Sequence, residues 1–382
     1  MHASAHASNA SDMAAELPHG AEDLAHMRRA LALAERGMYT TTPNPRVGCV
    51  IVRDGKVVGE GFHLRAGEAH AESLAIEDAR RAGHDVRGAT MYVTLEPCNH
   101  RGRTPPCVDA ILATGLARVV AAMADPNPVA AHGAIRLRQA GIQVDIGLLE
   151  NEARELNIGF VSRMTRGLPW VRTKIAASLD GRTALANGKS QWITGPEARA
   201  DGHAWRARAC AVLTGIGTIR RDDPELTVRS VPTSRQPLRV IVDRNAETPV
   251  GARAFAVGQV LMVTAGSHNP AWPAAAETVA LPDKSGRVDL GALMRTLASR
   301  GINELHVEAG GRLNGALVDA GVVDEILIYL APSVLGDPAS GMFERATPLT
   351  SLDGRVAMAW HSFERIGRDV RMMARVVRKG RT

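Results

Sequence analysis

The stretch that organises this chain comprises three short motifs, His70-Ala71-Glu72, Glu96-Pro97-Cys98 and Pro105-Pro106-Cys107. Imidazole and thiolate are ligands that zinc prefers in proteins, and the zinc ligands are then His70, Cys98 and Cys107. Zinc with three protein ligands keeps a fourth position for water and lowers the pKa of that water to about 7. Glu72 remains outside the ligand set and can transfer protons.

The order His-x-Glu, Pro-Cys, Cys is typical of zinc-dependent nucleobase deaminases, in which the glutamate acts as general acid and base. The spacing is unusual, because eight residues separate Cys98 from Cys107 where about two are common. Both thiols could instead be small core side chains, since cysteine is often buried. The context favours metal binding: an apolar run precedes Cys98, and Pro105-Pro106 favours a helix whose first turn contains Cys107.

Length and composition predict two or three domains, because the chain has 382 residues of which 45% are hydrophobic. No run approaches the roughly 18 apolar residues of a membrane helix. Residues 1–20 lack the apolar stretch of a signal peptide, so we expect them to form a disordered extension of a soluble protein. The four cysteines, two of them assigned to metal, argue against disulfides and for a reducing cytoplasm.

The net charge of +6 arises from 46 basic and 40 acidic residues without long runs of like charge. Aromatic residues make up 3% of the chain, which leaves few side chains on which bases could stack. We therefore expect no nucleic-acid partner, and a phosphorylated small molecule accounts for the positive excess equally well.

Periodicity predicts a layered α/β domain over residues 21–166. Its predicted elements include a helix from Ala21 to Met38, a β-hairpin at Asp54-Gly55 and a helix from His70 to Ala82. Asn44, which lies between two prolines, could bind a substrate amide, although a rigid turn without a ligand explains it equally well.

The insertion between the two cysteines, residues 99–104, is polar and basic. It could recognise a phosphate or the edge of a heterocycle, or it could be a solvated loop. One helix is predicted from Asn151 to Arg166, and Gly167-Leu168-Pro169 marks a domain boundary.

Residues 167–382 are predicted to form a second α/β domain. Its strands are expected at 170–176, 211–214, 238–243, 259–264, 304–308, 325–330 and 370–377. Gly310-Gly311 ends a strand at a helix start, where a phosphate could approach backbone N–H groups; ordinary turn glycines explain the pair equally well. The Rossmann pattern Gly-x-Gly-x-x-Gly is absent.

The chain resembles the bifunctional riboflavin-biosynthesis proteins that join a diaminohydroxyphosphoribosylaminopyrimidine deaminase to a 5-amino-6-(5-phosphoribosylamino)uracil reductase. The resemblance covers about Ala21 to Val377. In the first half it rests on Pro43–Val50, Gly67–Glu72, Thr94–Cys98 and Gly102–Cys107. In the second half it rests on Ala177–Thr183, Ser190–Thr194, Asp222–Pro224 and Val307–Gly310. The long spacing between the two cysteines is typical of this family.

The resemblance implies an N-terminal cytidine-deaminase-like layered α/β domain and a C-terminal dihydrofolate-reductase-like α/β domain. It implies zinc at His70, Cys98 and Cys107, with Glu72 as the catalytic proton shuttle. It implies NADPH contacts at Ala176, Trp192, Thr218, Asp222, Gly310, Gly311, Arg312, Leu313, Asn314, Gly315 and Ala316. It implies substrate contacts at Ser190, Arg206, Leu226, Arg229 and Glu308. Arg244 stands where the family commonly has serine and could instead bind the 2′-phosphate of the cofactor.

The implied reactions are hydrolytic deamination of 2,5-diamino-6-(5-phosphoribosylamino)pyrimidin-4-one, then reduction of its ribosyl group to ribityl phosphate by NADPH. Candidate proton donors for the reduction are Glu308, Asp222 and Lys174. Arg206 and Arg229 could clamp the substrate phosphate through bidentate contacts. We further expect a cytoplasmic homo-oligomer, a dimer or a tetramer, without a membrane partner.

Two other interpretations are compatible with the zinc motif. One is a tRNA or free-base zinc deaminase with a non-catalytic C-terminal domain. The other is a zinc-stabilised RNA-binding or scaffold protein. The scarcity of aromatic residues counts against RNA, and the unattached Glu72 counts against a structural zinc site, which four protein ligands would close.

Overall fold

The computed structural model describes residues 20–102, 104–336 and 338–378. Within them the chain folds into two compact units. The first contains the described residues up to Glu35, together with Val47–Phe62 and Ala69–Ala153, and the second contains Arg36–Arg46, His63–Glu68 and the described residues from Arg154 onward. The extension predicted over residues 1–20 lies outside the described residues, apart from Gly20.

The first unit is an α/β layer structure, as predicted. Its elements are α1 (Ala21–Glu35), β1 (Gly48–Arg53), β2 (Lys56–Phe62), α2 (Ala71–Arg81), β3 (Thr90–Val93), α3 (Cys107–Leu112), β4 (Arg118–Ala121), α4 (Gly133–Gln139) and β5 (Gln143–Ile146). The described strands form a sheet in the order β2-β1-β3-β4-β5. Because β3, β4 and β5 run parallel, the loops that follow β3 and β4 leave the sheet at one edge, and Cys98 lies in the first of these loops.

Glycines on the first two strands allow two helices to approach the sheet closely. A Cβ atom on Gly48 would lie 2.0 Å from the carbonyl oxygen of Ala30 in α1. A Cβ atom on Gly61 would lie 2.4 Å from the carbonyl oxygen of Ala71, the first residue of α2. Glycine within a strand often marks such a close backbone approach. The first turn of α2, which carries Glu72, therefore packs directly on β2.

The second unit is also α/β and contains a larger sheet. From the end of the first unit onward the elements are α5 (Glu150–Leu156), α6 (Ile158–Arg166), β6 (Trp170–Ser178), β7 (Arg182–Ala184), α7 (Pro196–Arg208), β8 (Ala211–Gly215), α8 (Ile216–Asp222), β9 (Leu238–Val242), β10 (Val260–Thr264), β11 (Ala276–Ala280), α9 (Leu290–Ser299), β12 (Glu304–Val307), α10 (Gly311–Asp319), β13 (Glu325–Ala331), β14 (Ser340–Gly341), β15 (Met358–Ile366) and β16 (Asp369–Val376). The described strands form a sheet in the order β11-β10-β9-β8-β12-β6-β13-β16-β15, with β7 and β14 as a separate pair. The strands from β11 to β13 are parallel, and β16 and β15 close the sheet with antiparallel pairing.

The large sheet carries charged side chains that reach α7. Arg172 on β6 forms buried ion pairs with Glu304 on β12, at 3.1 Å, and with Glu325 on β13. The same guanidinium stacks on the ring of Trp205 in α7, 4.3 Å from its centroid. Three adjacent strands are thereby linked to the helix that borders the cleft described below.

The structure differs from the prediction at two helices and at two strands of the large sheet. The helix predicted from Asn151 to Arg166 is two helices, because Asn157 interrupts it: its side chain accepts a hydrogen bond from Arg46 N at 2.8 Å and donates one to Arg46 O at 2.9 Å. The first helix ends at Glu35 rather than Met38, since turns follow it. Strands β11 and β15 were not predicted, because neither shows a regular alternation of buried and exposed residues.

None of the described helices combines the length and the apolar character that crossing a bilayer requires.

Candidate active sites

The three predicted zinc ligands converge in the first unit. Nδ1 of His70 lies 3.2 Å from Sγ of Cys107 and 3.5 Å from Sγ of Cys98, and the three ligand atoms lie within 4.8 Å of one another. Tetrahedral zinc with bonds of about 2.0–2.3 Å separates its ligand atoms by roughly 3.5 Å. The donor set and its spacing therefore fit a zinc ion with three protein ligands.

Each ligand is placed by the end of a secondary-structure element. His70 immediately precedes α2, and Cys107 is the first residue of α3. Cys98 lies in the loop after β3, where its Sγ accepts a hydrogen bond from Cys107 N at 3.4 Å. The positive ends of two helix dipoles thus point toward the ligand atoms and favour thiolates.

The environment of the site favours a thiolate at Cys98 close to the buried carboxyl group of Glu72. Hydrogen bonds from Cys107 and His70 lower the pKa of Cys98, whereas the hydrogen bond to Cys98 and burial raise the pKa of Cys107, so that Cys98 ionises first. Glu72 is 4% exposed, and burial raises the pKa of its carboxyl group. Its carboxyl group also hydrogen-bonds to the Cys107 thiol. Glu72 is thus in contact with the ligand set and shielded from bulk water, as a proton-transfer group requires.

Glu96, which the sequence analysis named in the Glu96-Pro97-Cys98 motif without assigning it a role, supports the candidate metal site. Its buried carboxylate accepts hydrogen bonds from Ala134 N at 2.9 Å and from Asp125 N at 3.1 Å. It therefore connects the loop that carries Cys98 to the start of α4 and to the loop after β4. A carboxylate two residues before a ligand cysteine is the only sequence signal that could have identified it.

The insertion between the cysteines contacts one ligand. Thr104 Oγ1 lies 3.5 Å from Nε2 of His70. Asn99 Oδ1 instead accepts a hydrogen bond from Arg136 in α4 at 3.1 Å. Arg103 lies outside the described residues.

Asn44, singled out because of its flanking prolines, belongs to the second unit together with His63. Its Nδ2 lies 3.0 Å from Nε2 of His63, whose side chain is buried. No sequence signal indicated His63, since an isolated histidine after a strand is not diagnostic.

The second unit contains an open cleft of about 710 Å³ where β6, α8 and β12 end. Ten of the predicted cofactor and substrate residues line it: Ala176, Trp192, Thr218, Asp222, Gly310, Ser190, Arg206, Leu226, Arg229 and Glu308. These residues come from separate strands, loops and helices. Their convergence, and a volume in the range of about 300–1,000 Å³ that is typical of small-molecule sites, fit a bound nucleotide or phosphosugar.

The other six predicted cofactor residues, Gly311 to Ala316, lie in α10, directly after the cleft residue Gly310. They are not among the described residues that line the cleft. Gly315 is required by packing, since a Cβ atom there would lie 2.1 Å from the carbonyl oxygen of Glu344. Asn314 is buried and donates to Ala309 O and Met342 O, both at 3.2 Å. Dinucleotide contacts at these six residues stay a prediction.

Charges of both signs line the cleft. Glu308 forms an ion pair with Arg206. Burial alone would raise the pKa of the Glu308 carboxyl group, but the positive charges of Arg206 and Lys174 lower it. Burial lowers the pKa of Lys174, which also lines the cleft.

The sequence analysis did not identify Arg199 and His203, which line the cleft from α7 together with Arg206. Arg199, His203 and Arg206 are four and three residues apart, and this spacing could have indicated that they share one face of a helix.

The fold and these sites define a zinc deaminase joined to a reductase. Residues 21–123 match the cytidine and deoxycytidylate deaminase zinc-binding region, and residues 169–372 match the RibD C-terminal domain. The chain belongs to the RibD family of riboflavin biosynthesis proteins, bifunctional enzymes with deaminase and reductase activities.

Relatives cover nearly the whole chain. The Escherichia coli (strain K12) riboflavin biosynthesis protein RibD is 50% identical over 335 residues, which are 84% of this chain and 90% of the relative. The Haemophilus influenzae protein of the same name is 43% identical over 93% of this chain and 98% of its own. This membership confirms the bifunctional interpretation over a deaminase with a non-catalytic tail.

Solved structures agree with this membership. Acinetobacter baumannii RibD, form 1, is 39% identical, covers 94% of this chain and 99% of its own, and superposes with a TM-score of 0.87. A diaminohydroxyphosphoribosylaminopyrimidine deaminase/5-amino-6-(5-phosphoribosylamino)uracil reductase from Thermotoga maritima is 35% identical, covers 93% of this chain and 99% of its own, and has a TM-score of 0.86. The predicted fold class is confirmed, and the two domains imply zinc and a nicotinamide cofactor.

Proposed function

We propose that the first unit hydrolytically deaminates 2,5-diamino-6-(5-phosphoribosylamino)pyrimidin-4-one and that the second unit reduces the ribosyl group of the product to ribityl phosphate with NADPH. The observation that carries this proposal is the convergence of His70, Cys98 and Cys107 beside the buried Glu72. The substrate is supported by the name of the Thermotoga maritima relative, a phosphoribosylaminopyrimidine deaminase and phosphoribosylaminouracil reductase.

In the deamination step, zinc when bound supplies a Lewis acid that lowers the pKa of water to about 7. The ligands for that ion are the His70 imidazole and the two thiolates. Glu72 accepts the proton of the attacking water on a carboxylate oxygen and then delivers a proton to the departing amine. Its burial against Cys107 keeps this proton from exchanging with bulk water.

In the reduction step, the nicotinamide cofactor when bound would supply a hydride to C1′ of the ribosyl group in its open-chain imine form, in which the bond from C1′ to the ring oxygen is already broken and the imine nitrogen takes up a proton. Trp192, Thr218 and Asp222 line the part of the cleft that we assign to the cofactor. Ser190, Leu226 and Arg229 line the part that we assign to the substrate.

Lys174 is the best candidate for the proton donor. Glu308 carries no proton at neutral pH, because Arg206 and Lys174 lower its pKa against the effect of burial. Asp222 already accepts a hydrogen bond from Ser190 Oγ at 3.3 Å. Lys174 lines the cleft, and burial lowers its pKa, which makes its ammonium a better acid near neutral pH.

A homo-oligomer and a cytoplasmic location complete the proposal. On the edge strand β15, Trp360 and Phe363 are 61% and 57% exposed, and exposed apolar patches of this kind often mark protein contacts. All four cysteines are unpaired thiols, which supports a reducing compartment.

The proposal is tested with the purified full chain, the diamino substrate and NADPH. We expect ammonia release and NADPH oxidation, with the oxidation requiring the deaminated product. Glu72→Gln should slow ammonia release by about 10²–10⁴-fold and should oxidise NADPH normally when the deaminated intermediate is supplied. Glu77→Gln, at an exposed position of the same helix, is the matched control and should retain both activities. Near wild-type ammonia release by Glu72→Gln would contradict the proposal.

A further inference from the structure

Trp192 and Arg199 form a stacked pair on the wall of the reductase cleft. The guanidinium carbon of Arg199 lies 4.6 Å from the centroid of the Trp192 ring. Arg199 also donates a hydrogen bond from Nη1 to the carbonyl oxygen of Thr194 at 2.8 Å. All three residues line the cleft. Arg199 therefore connects α7 to the loop that carries Trp192.

The ring of Trp192 needs such a support, because 67% of its surface is exposed. A large aromatic side chain at this exposure is not fixed by core packing and can change rotamer freely. The guanidinium covers one face of the ring through a cation–π contact. The opposite face then offers a flat apolar surface to a planar ligand in the cleft, and aromatic rings bind each other in offset stacks.

The surrounding charges favour a ligand that combines an aromatic ring with phosphates. Arg221, Arg229 and Arg253 line the same cleft as Arg199 and Arg206. Among these, Arg229 and Arg253 both pair with Glu225. Arg206 is likewise paired, with Glu308. A dinucleotide has planar rings for the Trp192 surface and phosphates for the arginines that line the cleft.

We infer that Arg199 is a positioning residue that holds Trp192 as a stacking platform for an aromatic ring of the nicotinamide cofactor. The inference rests on the proposed function in so far as Trp192 contacts the dinucleotide. Arg199 acts by removing rotational freedom from the indole before the cofactor arrives, which lowers the entropic cost of binding. A direct contact between Arg199 and a cofactor phosphate is the competing role.

A double-mutant cycle on the full chain separates the two roles. The variants are Arg199→Ala, Trp192→Leu and the double variant, and NADPH affinity is measured by calorimetry alongside kcat and KM of the reductase. We expect Arg199→Ala to weaken NADPH binding roughly two- to tenfold, the range of a cation–π contact, and to leave kcat at saturating NADPH within about twofold of the wild type. In the Trp192→Leu background the same substitution should have no further effect. Equal losses in both backgrounds, or no loss in either, would overturn the inference.

Two further variants sharpen the result. Arg199→Lys keeps a cation over the ring and should restore most of the affinity, whereas a purely steric role would not be rescued in this way. Arg295→Ala, an exposed arginine on α9, is the matched control and should bind NADPH as the wild type does. Unchanged NADPH affinity in Trp192→Leu would instead remove Trp192 from the cofactor site, which is a failure of the proposed function. Ammonia release checks the first unit of every variant, and a circular dichroism spectrum and urea transition like those of the wild type check the second unit, which contains all the substitutions.

Discussion

Arg206 and Glu308 form a bidentate ion pair, with Nε 2.7 Å from Oε1 and Nη2 2.9 Å from Oε2. The remaining nitrogen, Nη1, donates to the carbonyl oxygen of Thr227 at 2.6 Å. All three guanidinium nitrogens therefore have partners. Arg206 thus connects the end of β12 to the loop that carries Leu226 and Arg229, and its contact with the substrate phosphate stays a prediction.

Removing Arg206 should destabilise the protein. Arg206→Ala leaves the largely buried Glu308 without its partner, which costs on the order of 2–4 kcal/mol in the free energy of unfolding. Urea denaturation measures this loss. Arg220→Ala removes an exposed ion pair with Glu247 and should cost less than about 1 kcal/mol. Equal losses for the two variants would mean that the burial of the Arg206 pair is unimportant.

Substituting Lys174 should affect reduction without affecting deamination. Lys174→Gln removes the proposed proton donor, and we expect the reductase kcat to fall about 10²–10⁴-fold. The rate of NADPH oxidation on the deaminated intermediate measures this effect. Lys189→Gln, near the cleft on an exposed loop, serves as the control. A normal kcat in Lys174→Gln would assign the proton to another group.

Zinc should depend on Cys107 and not on Cys210, a buried thiol outside the ligand set. Cys107→Ser removes one of three protein ligands, so we expect less than one zinc ion per chain by elemental analysis and no ammonia release. The same variant should still oxidise NADPH when given the deaminated intermediate. Cys210→Ser, a buried thiol in the second unit, should retain zinc. Full zinc occupancy in Cys107→Ser would exclude this residue from the ligand set.

His306 should make the protein less stable in acid. Its side chain is 0% exposed, and its ring nitrogens form no hydrogen bond among the described residues, although Nε2 lies 3.6 Å from Oε1 of Glu308. Burial outweighs the attraction of this carboxylate and lowers the pKa of His306 to about 3. The unfolded chain, in which the pKa of histidine is about 6.5, then binds a proton that the folded chain does not. The contribution of His306 to stability is therefore complete above about pH 6.5 and is lost as the pH falls toward 3.

The His306→Leu variant tests this dependence. Between pH 7 and pH 5 the free energy of unfolding should fall less in the variant than in the wild type. The difference between the two losses should be up to about 2 kcal/mol. At pH 7 the variant should be as stable as the wild type or more so, because a buried polar ring that makes no hydrogen bond among the described residues is removed. His84→Leu, at an exposed position, should retain the wild-type pH dependence. Parallel pH profiles for wild type and His306→Leu would show that His306 does not titrate as described.

The helices and strands that could be predicted are those that local sequence patterns encode. The hairpin at Asp54-Gly55 and the helix that follows His70 lie where turn residues and apolar spacing predicted them. Strand β15 was missed, because it is exposed on an edge and carries no alternating pattern. The break at Asn157 was missed as well, since its cause is a pair of hydrogen bonds to Arg46, more than a hundred residues earlier in the chain.

The sequence by itself determined the zinc-deaminase class of the first half of this protein, because the identity and order of His70, Glu72, Cys98 and Cys107 predict a metal, its ligands and a proton carrier without reference to the rest of the chain. The tertiary structure alone decided which side chains share a site. Strand order and register bring Arg206 to Glu308 and set the cleft that Arg199 and Trp192 border. Contacts between residues distant in the chain depend on that packing, and no local pattern of residues encodes them.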